Sequence, residues 1–139
     1  MKRTALALAL LAVVAGACSR EARPLDTARQ RWEASGVTSY TYTIEMQCFC
    51  PPLDAAVEVV DGRVVSVVPL NDGSLTPEAR TVEELFADLE QELASADRGE
   101  YTIEYHPELG YPVRVVADPI RQAIDDEYSY QITLVPATP

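Results

Sequence analysis

After Lys2 this chain contains no lysine, and its 11 basic residues are outnumbered by 22 acids, for a formal charge of −11. It carries one histidine, one tryptophan, two phenylalanines and three cysteines. Each scarcity excludes something. No basic stripe is available to neutralise phosphates, so a nucleic-acid partner is not expected. Adsorption to anionic lipid by charge is not expected either. His106 is the only candidate imidazole base and precedes Pro107 in a turn, where a lone histidine is ordinarily solvated. There is no Gly-x-Ser-x-Gly elbow, no Gly-rich phosphate loop and no Asp-x-Asp-x-Asp-Gly calcium loop. The one long apolar run, residues 5–14, falls short of the roughly 20 residues that a membrane-crossing helix needs.

That apolar run is nevertheless the most informative segment. Lys2 and Arg3 precede it, and Ala15-Gly16-Ala17-Cys18 follows it. A basic start, a short apolar stretch and small residues at a cleavage point make a secretory signal peptide. The cysteine after the small triplet resembles the lipobox of bacterial lipoproteins, with Ala15 where that motif usually has Leu. The resemblance implies that Cys18 is the first mature residue and carries a diacylglyceryl thioether and an amide-linked chain of the palmitate kind. Two chains suffice for stable anchoring, at about 0.8 kcal/mol per buried methylene. Ser19, rather than an acid, follows the cysteine. This resembles the class sorted to the outer membrane where the host is Gram-negative. Loss of residues 1–17 removes two basic residues and no acid. Nine arginines then face 22 acids, a formal charge of −13. The chain thus divides into a signal peptide (1–17), a lipidated tether (18–24) and one domain (25–136). The partners expected are the membrane, through lipid on Cys18, and an envelope protein.

Within the domain, Leu25, Ala28 and Trp32 mark one side of a short helix ending at Gly36. Tyr40, Tyr42, Ile44 and Met46 alternate with polar residues as a half-buried strand. Asp61-Gly62 joins two Val-rich strands, and that pair favours a two-residue type I′ turn. An uninterrupted ladder from the turn pairs Val59 with Val64, Val57 with Ser66 and Ala56 with Val67. It leaves Val60, Val65 and Val67 as an apolar strip on the face away from the helices, a candidate binding surface. Thr81-Val82-Glu83-Glu84 is a capping box before an amphipathic helix carrying Val82, Leu85, Phe86, Leu89 and Leu93. Three further strands follow, around Tyr101–Tyr105, Val113–Val116 and Tyr128–Leu134, with a helical turn expected between Asp118 and Glu127. The order implies an α+β domain: an antiparallel sheet of about six strands with two main helices on one face. Tyr42-Thr43-Ile44-Glu45 recurs as Tyr101-Thr102-Ile103-Glu104, and both halves run helix-strand-strand-strand. Tandem duplication and coincidence among common strand residues both account for it.

Trp32, Tyr40-x-Tyr42, Cys48-Phe49-Cys50-Pro51, Asp61-Gly62, Leu85-Phe86, Tyr105-x-Pro107-x-x-Gly110-Tyr111-Pro112 and Asp125-Asp126-Glu127-x-x-Tyr130 come in a characteristic order. Together, over residues 25–135, they resemble an uncharacterised family of bacterial secreted and lipoprotein domains. His106 stands where such sequences often have Asp, so no acidic role carries over there. The resemblance implies fold and envelope location and brings no activity or cofactor with it.

Cys48 and Cys50 are the chemical lead. With Cys18 lipidated they are the remaining thiols, in an oxidising compartment. Residues two apart on an extended strand have Cα atoms nearly 7 Å apart, the outer edge of disulfide geometry, so a relaxed bond requires a bend at Phe49. Three readings stand: a structural disulfide pinning the turn, an exchange-active disulfide, and a soft-metal site with Met46 suited to Cu(I). Asp125-Asp126-Glu127 is read as a solvated loop. The function that follows is a lipid-anchored envelope protein acting through binding or as an accessory, without catalytic residues, cofactor or resident metal. The alternative is a thiol-redox or copper-handling lipoprotein using Cys48 and Cys50.

Overall fold

The computed structural model describes residues 22–51, 53–72, 78–95 and 99–135; the expected signal segment (1–17) and Cys18 lie outside these. Helix α1 (Ala22–Ser35) starts three residues before the expected Leu25. Pro24 is compatible with this because first-turn donors have no intrahelical acceptor, so its missing N–H leaves no bond unmade. Gly36, at φ 65°, ends the helix. Leu25, Ala28 and Trp32 are buried, as their spacing predicts.

The remaining elements are β1 (Tyr40–Cys48), β2 (Leu53–Val60), β3 (Arg63–Pro69), α2 (Val82–Ala94), β4 (Glu100–Tyr105), β5 (Pro112–Asp118) and β6 (Tyr128–Val135). All six strands form one antiparallel sheet in the order β3-β2-β1-β6-β5-β4. Apolar residues of both helices share one core cluster with Tyr40, Tyr42, Ile44, Val57, Val115, Tyr130 and Ile132 of the sheet. The architecture is the α+β arrangement that the sequence implies.

The N-terminus of α2 is fixed to β1 and α1 by a polar network. The Thr81 hydroxyl accepts from the Glu84 N–H at 3.2 Å, and Glu84 Oε2 accepts from the Thr81 N–H at 2.7 Å, completing the capping box. The Val82 N–H donates to the Tyr40 hydroxyl at 2.8 Å. Trp32 Nε1 donates to Glu83 Oε1 at 2.7 Å. The first-turn N–H groups of Val82 and Glu84 are thereby satisfied inside the fold, where leaving one bare costs about 1–3 kcal/mol.

The structure corrects one expectation and refines two. First, Asp61 and Gly62 have φ of 49° and 71°, the type I′ turn, and Val60↔Arg63 and Val59↔Val64 pair as expected. The ladder then shifts, giving Glu58↔Ser66, Val57↔Val67 and Ala56↔Val68. Val65 is the extra residue of a β-bulge. An uninterrupted ladder would aim Ser66 at the core. The bulge instead keeps the Ser66 hydroxyl off it and packs Val67 against it.

Second, the element order repeats but the sheet does not. β1 is antiparallel to β6, β6 to β5 and β5 to β4, so β1 and β4 run in opposite directions. A rotation that reverses strand direction while keeping the helices on one face also reverses strand order along the sheet. It would generate 3-2-1-4-5-6, whereas the order is 3-2-1-6-5-4. The shared Tyr-Thr-Ile-Glu therefore marks two equivalent strand patterns and no internal symmetry of the sheet.

Third, residues 119–127 form a loop with a single hydrogen-bonded turn, Ala123 N–H to Ile120 carbonyl at 2.8 Å. Asp126 Oδ2 accepts from the Ile120 N–H at 3.0 Å, and Asp125 sits at φ 69°. The acidic run shapes this loop; a side chain bonding the backbone in this way competes with helix.

Candidate functional site

Register places the chemistry of β1. Met46 lies opposite Tyr130 and Cys48 opposite Tyr128 on β6, while Ile44 lies opposite Ile132. These side chains share the core face, and α2 lies over them with Leu85, Asp88, Leu89 and Glu92. Between sheet and helix is a cavity of about 180 Å³, closed on a further side by Glu78, Ala79 and Arg80. Its floor is Tyr42, Ile44, Met46, Tyr128 and Tyr130.

The polar groups of this cavity engage one another. Arg80 bridges Glu78 Oε1 at 2.7 Å and Asp88 Oδ2 at 3.0 Å. Glu78 in turn is held below the ordinary carboxylate range by that guanidinium. The Tyr42 hydroxyl donates to the Arg80 carbonyl at 2.5 Å, and burial pushes its pKa up to about 12. The Tyr128 hydroxyl donates to Glu92 Oε2 at 2.6 Å. Burial raises Tyr128 first, and Glu92 adds to it; Tyr130 is raised by the same two causes in the same order. Tyr101, pushed up to about 12 by burial, also feels Glu92. Glu92 is thus the common source of negative potential for three tyrosines at this end of α2. Among the described residues that line the cavity there is no Ser, Thr, Cys or His. The arrangement offers aromatic rings, a thioether and carboxylates, a set for binding.

Cys48 and Cys50 have Cα atoms 5.0 Å apart and their sulfurs in bonding contact. The chain bends where Cys48 ends β1, leaving Phe49 82% exposed at the tip. Met46 lies on the same side of β1 as Cys48 and packs against the core. Of the three strip residues, Val60 and Val65 are exposed, but the bulge turns Val67 inward and brings Val68 out beside them, 55% exposed. His106 organises the β4–β5 turn. Its Nδ1 accepts from the N–H groups of Leu109 at 3.1 Å and Glu108 at 3.3 Å, and its ring stacks on Tyr111. Cys18 lies outside the described residues. Among those residues no helix is long and apolar enough to cross a membrane.

Sequence reasoning missed the cavity and its polar residues Arg80, Asp88, Glu92 and Tyr128. Asp88 and Glu92 are four apart on α2 and so share a face, but nothing local says that β6 lies beneath them. That depends on β1 pairing with a strand more than 80 positions along the chain.

No curated protein and no solved structure matches this chain. A family model does, over residues 24–137, which include every strand and nearly all of α1. The chain belongs to a family of unknown function, DUF6174.

Proposed function

We propose that this protein is a lipid-anchored component of a bacterial envelope that works by binding. The observation that carries the reading is the leader itself: a basic pair, an apolar stretch too short to span, and Cys18 directly after small residues. Lipid on Cys18 would hold α1 near the membrane, since at most a few residues separate them. The cavity under α2 supports binding over catalysis, because its carboxylates Asp88 and Glu92 are committed to Arg80 and Tyr128. The mature charge of −13 favours cationic partners over phosphate-bearing ones. Mass spectrometry of the mature amino terminus tests the anchor. An acylated Cys18 is expected, lost in Cys18→Ser. An unmodified first residue or an intact Met1 overturns it.

A second reading uses the contact between Cys48 and Cys50. A disulfide at a solvent-exposed tip is open to thiol exchange. A Cys48→Ser/Cys50→Ser protein that stays folded but loses its cellular role would favour redox chemistry. Loss of role only together with loss of folding would favour a structural bond.

A further inference from the structure

The cavity between α2 and β1/β6 is built for charge of one sign. Among the described residues its lining holds three carboxylates, Glu78, Asp88 and Glu92, and one guanidinium, Arg80. That guanidinium is bound by two of the three, at 2.7 and 3.0 Å, so its charge is already answered within the site. The floor is apolar and aromatic, with Ile44, Met46, Tyr128 and Tyr130. A hard metal ion is unsuited to such a floor, since it demands a shell of oxygens. A weakly hydrated cation is suited to it. Tyrosine faces attract ammonium groups through the ring quadrupole, more strongly when desolvated. The thioether of Met46 is soft, polarizable and adaptable in shape. The volume, about 180 Å³, lies below the roughly 300–1,000 Å³ of sites for larger ligands, so the occupant is compact.

We propose that this cavity binds a small organic cation with an alkylated ammonium head, its methyl groups on Ile44, Met46 and the tyrosines, its charge answered by Glu92. The inference rests on the reading of the protein as a binding module, and it names the ligand class. The acidity of the whole chain would raise the local concentration of such cations.

The test is a titration of the full-length purified protein with choline chloride, followed by NMR of the Met46, Leu85 and Leu89 methyl groups. The neutral carbon isostere of choline and sodium chloride of equal ionic strength serve as controls. Saturable shifts at those methyls are expected with choline, about tenfold weaker binding by the isostere, and none with sodium chloride. Glu92→Gln should weaken choline about fivefold and leave the isostere unchanged, while Met46→Trp, filling the cavity, should abolish both. Equal affinity for choline and isostere, absence of saturable shifts, or shifts confined to other residues would overturn the proposal. Should Met46→Trp fail to fold, Glu92→Gln decides alone. The readout is independent of acylation, so an unlipidated Cys18 and an empty cavity are separate failures.

Discussion

At the scale of single residues, one of the tightest positions is a glycine with nothing to pack. Gly110 sits at φ +84° in the β4–β5 turn, and a Cβ there would lie 2.2 Å from the Ala28 carbonyl oxygen and 2.9 Å from Arg31 Cβ. Two penalties coincide: a left-handed backbone and a collision with the backbone of α1. The same turn delivers Tyr111, buried, against Trp32 with ring centroids 6.2 Å apart. Gly110→Ala is therefore expected to lower stability by more than about 2 kcal/mol. Chemical denaturation checks it, and a loss under about 0.5 kcal/mol, the range of an ordinary surface substitution, would contradict the tight approach. The sequence allowed Gly110 to be read as a turn residue. It could not show α1 on the other side, because that helix lies some 80 positions away.

At the scale of elements, the hairpin separates what a pattern can and cannot say. Asp61-Gly62 specified the turn type and the first two pairs. The run Val64-Val65-Ser66-Val67-Val68 is compatible with two registers that differ by one residue, and a one-residue slip turns every later side chain over. Burial resolved it: Val57 and Val59 are fully buried, and Val64 and Val67 pack beside them. Deletion of Val65 removes the bulge while retaining Glu58↔Ser66 and Val57↔Val67. It is expected to leave the denaturation midpoint nearly unchanged, within about 1 kcal/mol. Val64→Asp instead sets a charge against the core and should cost more than about 2 kcal/mol. If the deletion is the more damaging of the two, the ladder runs without a bulge and the shifted register is wrong. The capping box and amphipathic stripe of α2 were legible for the opposite reason. Thr81, Glu84 and the spacing of Leu85, Phe86, Leu89 and Leu93 act within one element and need no distant partner.

At the scale of the whole molecule, the tyrosines report on folding. Burial pushes Tyr42, Tyr101 and Tyr105 up to about 12, and Tyr40, Tyr128 and Tyr130 are raised as well, burial again leading. In the unfolded chain these phenols ionise near their ordinary value of 10.0. Between about pH 10 and 12 the folded state holds more protons than the unfolded state, so stability falls as pH rises. The contribution is whole below pH 10 and disappears through the upper value. Phenolate absorbance during an alkaline titration should therefore rise in one cooperative step that coincides with loss of far-ultraviolet circular dichroism. Gradual ionisation of all six near pH 10, with secondary structure intact, would contradict their burial.

The amino-acid sequence alone determined the elements, their type and most of their inward faces, because periodicity, caps and turn residues act over a few positions. It also carried the pattern from which a leader and a lipidated Cys18 are proposed, a reading that needs no fold. Only the tertiary structure decided that β1 pairs with β6, that the strand order breaks the apparent repeat, and that Val67 faces in and Val68 out. The cavity belongs to that second group. Its carboxylates and tyrosines meet only when α2 is laid across strands from both ends of the chain, a choice made by burial of the shared core and by no local signal.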